Sequence, residues 1–393
     1  MSGSVTAIRP RMRRSAAIVG IGHTNWREDW HRVRAGEKPA DSAGYAALAF
    51  RNALQDANIS RNEIDGLIVG PTTAYERMGE VLALDVRWGD QADAVLAVVK
   101  ACMAIETGAA EVVALVYGND QRSAGTQYGG PQAMGGDAFL SYVYHSPWGM
   151  TSQGALYALM FQRYRELFGF SEEDLGRVAV AQRQAASLNP NAIQQKLITL
   201  DDYMASPYIC EPLHLFDYCL INDGGVALII AEAGRAAQIC EKPVYIEAVG
   251  RHDLNQGATS LEPRLTEFYR PAQQEVASQI FNAAGIGPED VSVFQVYDSF
   301  SVHVPLALEG YGYCQQGEVA GFLREKGIGL GGALPTNTSG GHLSESYMQG
   351  WNHQIECVRQ ARNECGNRQV QDFRYAHYSS DVAGKAVSIL YSR

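Results

Sequence analysis

The fold is decided by the stretch Asn58-Ile59-Ser60-Arg61-Asn62-Glu63-Ile64-Asp65-Gly66-Leu67-Ile68-Val69, because the chain repeats its pattern. The second copy begins Gly285-Ile286-Gly287-Pro288-Glu289-Asp290-Val291 and continues to Phe294-Gln295-Val296, 227 residues further along the chain. Each copy has the pattern of a helix end, a short polar loop and a buried strand. The sequence therefore predicts two copies of one structural unit.

Matching segments precede the two copies. A strand ending in glycine comes first in each, Ala16-Ala17-Ile18-Val19-Gly20-Ile21-Gly22 and Val244-Tyr245-Ile246-Glu247-Ala248-Val249-Gly250. Apolar residues then recur every three or four positions, which predicts a helix with one buried face. These residues are Ala47, Phe50, Leu54 and Ala57 in the first copy and Val276, Ile280 and Ala283 in the second.

A second pair of units follows in the same order. The first is predicted to contain a helix with an apolar stripe, a closing Gly108 and a strand over 111–117; the stripe is Val95, Val98, Cys102 and Ile105. Its counterpart is a helix around 355–362, then Gly366, then a strand near 373–378. We expect both glycines to end their helices in the left-handed conformation.

Strands alternating with helices predict an α/β fold of two pseudo-repeated βαβαβ halves. We expect mixed, mostly parallel sheets with helices on both faces. The predicted divisions are a loose arm over 1–14, an N-terminal half over 15–240 and a C-terminal half over 241–393. The first half includes an insertion at about 119–235, helical over 155–165. The alternative is chance similarity between two α/β segments.

Composition excludes several classes of protein. The 393 residues include 32 Lys and Arg against 43 Asp and Glu, a net charge of −11, which argues against a nucleic-acid surface. No apolar run approaches the ~20 residues of a membrane helix, and the basic N-terminus precedes an apolar run too short for a signal peptide. We therefore expect a cytoplasmic protein. Seven cysteines without a CxxC pair favour neither a disulfide framework nor a metal site.

Common catalytic motifs are missing from the sequence. The chain has no GxxxxGK[ST], HExxH or GxSxG pattern, and Gly20-Ile21-Gly22 lacks the third glycine of a dinucleotide-binding loop. Motifs of this general kind therefore assign no chemistry to the chain.

A family resemblance supplies what those motifs do not. The stretches Tyr157-Ala158-Leu159-Met160, Glu211-Pro212-Leu213, Asp217-Tyr218-Cys219 and Asp223-Gly224-Gly225 resemble thiolases of the sterol-carrier-protein type. The resemblance extends over nearly the whole chain and implies the thiolase fold. We expect Asp223-Gly224 to begin a strand, with a structural role.

The departures from that family concern its catalytic residues. The resemblance places the thiolase nucleophile near 91–93, where this chain has no cysteine; Cys102, in mid-helix, is expected in the core. The family's Cys-x-Gly-Gly loop is replaced by Tyr378-Ser379-Ser380-Asp381. Without an acyl-carrying cysteine, conventional thiolase chemistry cannot proceed.

Tyrosines stand at two other catalytic positions of the family. Tyr297-Asp298-Ser299-Phe300 replaces Asn-Glu-Ala-Phe, and the loop beginning Asn337-Thr338-Ser339-Gly340-Gly341-His342 places Tyr347 in register with the catalytic histidine. This pattern resembles the thiolase-like retro-aldolases of bacterial steroid side-chain degradation. The resemblance implies a carbon–carbon lyase that converts a β-hydroxyacyl-CoA steroid into a ring ketone and a short acyl-CoA such as propionyl-CoA.

Retro-aldol chemistry needs a base for the β-hydroxyl, donors for the enolate and an acid to protonate it. We expect Tyr297 and Tyr347 to divide these roles, one as a phenolate and the other as a phenol, with His342, Asp298 and Asn337 supporting them. No cofactor is expected beyond the coenzyme A that the substrate carries. A phenol with a pKa near 10 needs nearby donors or positive charge to act as a base.

Alternatives and partners complete the expectations. The chain could instead be another acyltransferase of the thiolase superfamily, or a non-catalytic thiolase-like scaffold subunit. The resemblance also implies a homodimer that works with a separate protein built from an OB-fold and a zinc ribbon, as two plus two chains. Neither a nucleic acid nor a membrane is expected as a partner.

Overall fold

A computed structural model describes residues 13–126, 152–253, 270–382 and 385–393. Its strands are β1 Ala16–His23, β2 Gly66–Val69, β3 Trp88–Gln91, β4 Val112–Asn119, β5 Tyr208–Cys210, β6 Leu213–His214, β7 Gly224–Glu232, β8 Val244–Asp253, β9 Val291–Val296, β10 Tyr375–Val382 and β11 Lys385–Ser392. Its helices are α1 Trp26–Arg34, α2 Ser42–Ala57, α3 Tyr75–Leu82, α4 Ala94–Glu106, α5 Gln153–Phe168, α6 Glu172–Ser187, α7 Leu200–Met204, α8 Ala233–Ile239, α9 Arg270–Ala284, α10 His303–Gly310, α11 Val319–Gly321, α12 Gly341–Ser344 and α13 Trp351–Arg362.

Nine of these strands form one sheet, in the order β3-β2-β4-β7-β1-β8-β11-β10-β9. Parallel pairs lie at its ends, β3-β2-β4 and β10-β9, and the pairs between them are antiparallel. The α/β class and the mixed sheet are confirmed. Parallel pairs need a helical crossover between neighbouring strands, and such crossovers occur only at the two ends of the sheet. In the centre, β7 pairs antiparallel with β1, and β11 pairs antiparallel with β8.

Helices cover both faces of the sheet, as expected. The faces are distinguished along β1, where Ala16 and Ile18 pack into one core and Ala17 and Val19 into another. On one face α2 lies so close to β1 that a β-carbon at Gly22 would overlap the helix backbone. Glycine, which has no β-carbon, permits this approach. The buried residues of α2 are Ala43, Tyr45, Ala46, Ala49, Phe50, Ala53 and Ala57, so Ala47 and Leu54 of the predicted stripe lie at its margin.

The two matched unit pairs appear in the predicted order. The first pair matches α2, a 3-10 turn and β2 with α9, a 3-10 turn and β9. The second pair matches α4 and β4 with α13 and β10. Gly108 has φ +70 just after α4, as predicted. Gly366 has the expected left-handed conformation, with φ +55, but its predicted place was wrong: α13 ends at Arg362, Asn363 caps it with φ +63, and Gly366 begins a 3-10 turn. Asparagine is the other residue that readily adopts the left-handed conformation.

The outer segments differ from one another. Residues 1–12 of the predicted arm lie outside the described residues, and Arg13 and Arg14 both pair with Glu247, so the arm is attached at its described end. The predicted helix in the insertion is α5; residues 127–151 of the insertion are not among those described. Gly224 begins β7 as expected. In the described ranges, every helix is too short or too polar to span a bilayer.

Candidate active site

Two tyrosine hydroxyls meet at the centre of the site. The Oη atoms of Tyr297 and Tyr347 lie 3.1 Å apart, which is hydrogen-bonding distance, although the residues are 50 positions apart in sequence. Tyr297 follows β9, and Tyr347 follows α12. The structure therefore brings together the two tyrosines that the sequence singled out.

Tyr297 is positioned by its backbone and by the residue before it. Its N–H donates to the carbonyl of Ser379 in β10, 2.9 Å away, which continues the sheet beyond β9. Asn337 holds Val296 on the other side: its side-chain oxygen accepts from the Val296 N–H at 2.7 Å, and its Nδ2 donates to the Val296 carbonyl at 3.0 Å. Asn337 is fully buried and thus supports the site by fixing the end of β9.

Tyr347 is held by the N-terminal half. Its N–H donates to Asn222 Oδ1 at 2.7 Å, and its carbonyl accepts from Asn119 Nδ2 at 3.3 Å. These two asparagines lie just before β7 and at the end of β4. One half of the chain therefore supplies the hydroxyl, and the other fixes the backbone that carries it.

The loop before Tyr347 encloses a buried carboxylate, Glu345. Three neutral donors point at it: Ser339 Oγ at 2.7 Å, Asn189 Nδ2 at 2.9 Å and Asn352 Nδ2 at 3.0 Å. Burial raises the pKa of Glu345 to about 7, because no described cation bonds it directly. Glu345 therefore ties the loop to α6 and α13.

His342 fills the space between the two tyrosine rings. Its ring lies edge-on to both, with centroids 4.8 Å from Tyr297 and 5.0 Å from Tyr347. Its Nε2 accepts a hydrogen bond from the Gly350 N–H at 2.9 Å. Burial lowers the pKa of His342 to about 3, so the ring is neutral at physiological pH. A neutral, wedged ring fits the predicted supporting role.

Asp298 lies behind His342 and is fully buried. Its two oxygens accept from the backbone N–H of His342 at 2.9 and 3.1 Å. Gly341 permits this approach, because a β-carbon there would overlap the carboxylate. His353 Nε2 lies 2.9 Å from Asp298 Oδ1, and its Nδ1 lies 3.1 Å from Gln295 Oε1. Burial raises the pKa of Asp298 to about 6.

Asp298, His342 and His353 also present three atoms of the kind that bind metals, all within 4.8 Å of one another. Hydrogen bonds account for the positions of Asp298 and His353, whereas His342 Nδ1 lies 3.3 Å from Asp298 Oδ1. A contact of 2.9 Å is ideal for a shared proton, whereas two ligands about 2.1 Å from a tetrahedral metal lie roughly 3.4 Å apart. The Gly350 N–H also occupies His342 Nε2. The contact between Asp298 and His353 therefore fits a hydrogen bond better than a pair of metal ligands.

The environment of Tyr297 is apolar and disfavours a phenolate. Burial raises the pKa of Tyr297 well above 10, and the hydrogen bond from Tyr347 offsets this only in part. The other described side chains that act on Tyr297 are Cys219, Tyr157 and Tyr378, and none of them carries positive charge. The cation that would lower the pKa of a catalytic phenol is therefore absent from these described neighbours.

Neither of the two cysteines closest to the expected chemistry, Cys102 and Cys219, is suited to act as a nucleophile. Cys102 is 1% exposed in the core of α4, and burial raises its pKa to about 12. At the N-terminus of that helix, Asp93 accepts the Leu96 N–H, so the position expected of a nucleophile holds a helix cap. Cys219 lies near Tyr297 and Asp298, but burial raises its pKa to about 12 too. All seven cysteines are free thiols.

Some site residues escaped the sequence reasoning. His353 belongs to α13, which begins at Trp351 rather than near 355. The sequence signal for His353 is a run of three polar residues, Asn352-His353-Gln354, at the start of this helix. The structure buries all three. Tyr378 was noted only as a replacement, and the structure places it inside strand β10 with a buried ring.

Comparisons with known proteins show the family of the chain. A family described as thiolase C-terminal domain-like matches residues 257–391. The chain is 33% identical over 375 residues to the steroid side-chain-cleaving aldolase of Thermomonospora curvata, and 34% identical over 376 residues to the 17-hydroxy-3-oxo-4-pregnene-20-carboxyl-CoA lyase of Mycobacterium tuberculosis. Each match covers 90% of this chain and 92% of the relative. The solved Ltp2-ChsH2(DUF35) aldolase has a TM-score of 0.87 and 28% identity, covering 97% of this chain and 98% of that one.

Proposed function

Because the chain belongs to the thiolase-like family of steroid side-chain-cleaving aldolases, we propose that it cleaves a β-hydroxyacyl-CoA steroid side chain by a retro-aldol reaction. The products are a ring ketone and a short acyl-CoA such as propionyl-CoA. The observation that carries this proposal is the pair of tyrosine hydroxyls 3.1 Å apart, in a site where burial raises the pKa of the neighbouring Cys219 thiol.

The reaction moves one proton and breaks one carbon–carbon bond. The β-hydroxyl loses its proton, its oxygen becomes the ketone carbonyl, and the electron pair of the Cα–Cβ bond forms the thioester enolate. The enolate α-carbon then takes up a proton. No covalent bond to the enzyme is needed, so the missing cysteine nucleophile is no obstacle.

The two tyrosines can complete this transfer without a free phenolate. One phenol accepts the β-hydroxyl proton while it passes its own proton across the 3.1 Å hydrogen bond. In the same concerted movement the second phenol receives that proton and delivers its own to the α-carbon as the Cα–Cβ bond breaks, so neither phenol oxygen carries two protons. Both end neutral, which suits a site that raises the pKa of Tyr297. A relay of this kind replaces the phenolate base expected from the sequence.

Supporting roles follow from the contacts. His342 separates and orients the two rings, Asp298 holds the His342 backbone, and Asn337 fixes the residue before Tyr297. These three act as positioning residues, because their described contacts are with the protein frame around the hydroxyls. The reaction itself requires no cofactor beyond the coenzyme A of the substrate.

The test is direct. The purified chain, with its partner protein where activity requires it, is incubated with a steroid carrying a tertiary β-hydroxyacyl-CoA side chain. We expect ring ketone and propionyl-CoA in equal amounts. Formation of neither product, with protein that still binds coenzyme A, would contradict the proposed reaction.

We further propose a homodimer that assembles with an OB-fold and zinc-ribbon protein as two plus two chains. One solved structure similar to this chain is the Ltp2-ChsH2(DUF35) aldolase, whose name joins two components. Two features of this chain support such contacts. β3 is an edge strand of the sheet, open for pairing. Most large apolar side chains exposed in the described residues lie between 159 and 215; they are Leu159, Leu188, Leu197, Met204, Tyr208, Ile209 and Leu215.

Light scattering of the chain alone and with the partner tests the assembly. We expect the mass of a dimer alone and of a two-plus-two complex together. Ile209→Ser should weaken the complex and leave the dimer intact. A monomer with full turnover in the absence of a partner would contradict both parts.

A further inference from the structure

Tyr378 has a hydroxyl that the protein does not use. The residue is fully buried, yet its hydroxyl makes no hydrogen bond of normal geometry with any described residue, although the Ser380 hydroxyl lies close enough to lower its pKa. A buried polar group without a partner costs about 1–3 kcal/mol. Such a group calls for an explanation, and a bound ligand is one.

The position of this hydroxyl is beside the tyrosine pair. A β-carbon on Gly350 would overlap the Tyr378 hydroxyl and come within 3.2 Å of the Tyr297 ring. Tyr378 and Tyr297 therefore both pack against Gly350, with the Tyr378 hydroxyl on the side of the Tyr297 ring. The Tyr378 ring is fixed from behind, stacked on His353 with centroids 5.7 Å apart. It also lies in the field of Asp93, at the N-terminus of α4.

The proposed reaction leaves one requirement unassigned. Negative charge develops on the thioester oxygen as the Cα–Cβ bond breaks, and a fixed donor aimed at that oxygen lowers the barrier. The hydroxyls of Tyr297 and Tyr347 are occupied with the proton that moves from oxygen to carbon. A donor for the thioester oxygen must remain protonated, and burial keeps the Tyr378 phenol neutral by raising its pKa.

We propose that Tyr378 is a third catalytic tyrosine, whose hydroxyl donates a hydrogen bond to the thioester oxygen of the acyl-CoA and to the enolate that forms from it. This inference rests on the proposed function for its effect on turnover. Its effect on binding does not, because the thioester oxygen is present in any acyl-CoA and missing from coenzyme A itself.

Tyr378→Phe tests the proposal, with Tyr391→Phe as the matched control. Tyr391 is equally buried, lies on the neighbouring strand β11, and donates its hydroxyl to Gln354 Oε1 at 2.9 Å. The measurements are turnover, the affinities for propionyl-CoA and for coenzyme A, and the melting temperature of the full chain.

We expect Tyr378→Phe to lower turnover about 100-fold or more, as for loss of one oxyanion donor. Its affinity for propionyl-CoA should fall about two- to tenfold relative to that for coenzyme A. Its melting temperature should stay the same or rise, because the lost hydroxyl has no partner. Tyr391→Phe should lower the melting temperature and keep both turnover and the affinity ratio.

An unchanged ratio of affinities in Tyr378→Phe overturns the assignment, whatever happens to turnover. A wild-type chain without retro-aldol turnover contradicts the proposed function, and the affinity ratio still decides the role of Tyr378. A lower melting temperature in Tyr378→Phe, like that of the control, with unchanged binding shows a structural hydroxyl and also overturns the proposal.

Discussion

Helices α4 and α13 occupy equivalent places in the two halves, and they are built from opposite kinds of residue. Along α4 every buried side chain is small or apolar, for example Val98 and Cys102. Along α13 the buried residues include many polar ones; they are Asn352, His353, Gln354, Glu356, Gln360 and Arg362. The helices touch, since Gln354 Nε2 donates to the carbonyl of Ala94 at 2.8 Å.

This difference shows where a repeated fold places its chemistry. An apolar helix such as α4 tolerates small changes at a small cost, because packing is nearly all it provides. A buried polar helix is stable only when its groups have partners, so each side chain is tied to others. In this chain the partners of α13 include Asp298, Glu345 and the loop that carries Tyr347. The symmetric position in the first half contributes stability without chemistry.

The largest effect should come from the two hydroxyls beside α13. Tyr297→Phe and Tyr347→Phe each remove one hydroxyl and almost no volume, so the protein should fold. Because general acid–base catalysis contributes about 10²–10⁴-fold, each variant should lose turnover on that scale. The double variant should lose little more, because both groups serve one proton-transfer sequence. Steady-state kinetics and acyl-CoA affinity for all three variants are the measurements.

Affinity for the acyl-CoA product should change far less than turnover in these variants. If either single variant keeps more than about a third of wild-type turnover, that tyrosine is not a catalytic group. Tyr391→Phe is the control, because it removes a buried hydroxyl away from Tyr297 and Tyr347. This variant should keep the wild-type turnover.

Next in size is the stability cost of breaking the polar interior of α13. Glu356 and Arg368 form a buried ion pair, with side chains 2% and 4% exposed. Glu356→Ala leaves the guanidinium buried and unpaired, so the free energy of unfolding should fall by about 3–5 kcal/mol. Denaturant unfolding measures this. The double change Glu356→Met with Arg368→Met should recover most of the loss; a double variant no better than Glu356→Ala would argue against a charge effect.

A third prediction concerns pH. Burial raises the pKa of Glu345 from about 4.5 in the unfolded chain to about 7 in the folded one. The folded state then binds the proton more tightly than the unfolded state. The contribution of Glu345 to the free energy of unfolding is therefore greatest below pH 4.5 and is lost as the pH rises to 7. The loss is about 3 kcal/mol. Glu345→Gln should remove that part of the pH dependence.

The free energy of unfolding is measured at pH 5 and at pH 7.5 for the wild type and for Glu345→Gln. The change between the two pH values should be larger in the wild type than in Glu345→Gln. Glu325→Gln, at an exposed site, is the control and should follow the wild type. Parallel pH curves for wild type and Glu345→Gln would show that Glu345 is ionised throughout.

The smallest effect should be in α4. Cys102→Ala removes one buried sulfur from an apolar stripe, so stability should fall by roughly 1 kcal/mol. Turnover should stay within the range of the wild type, because no step passes through this thiol. Loss of turnover without loss of stability would mean that the apolar helix carries chemistry after all.

Sequence pattern predicted the repeated units well because apolar periodicity reports burial, and burial is what repeats. Ile59 and Ile286, for example, are both half-buried after equivalent helices of the two halves. Tyr297, Tyr347, His342, Asp298 and Asn337 were found through a family resemblance, and their proximity came only from the structure.

Other features were hidden from the sequence. The roles of His353 and Tyr378 could not be predicted from the sequence, because a polar residue in a helix or strand is expected to be exposed unless tertiary contacts bury it. The pKa of Tyr297 depends on neighbours from distant segments, including Cys219 and Tyr157, so no local pattern predicts the direction of its shift. The antiparallel centre of the sheet likewise depends on where β7 and β11 return, which periodicity does not record.

The central claim is carbon–carbon cleavage through a tyrosine pair without a covalent carrier. Its most direct test is a quenched single turnover of a tertiary β-hydroxyacyl-CoA steroid, with products and intact protein mass followed in the same samples. The account predicts ring ketone and propionyl-CoA at equal rates while the protein mass never changes. A substrate-dependent mass increase located on a cysteine, at Cys219 or any other, would contradict it.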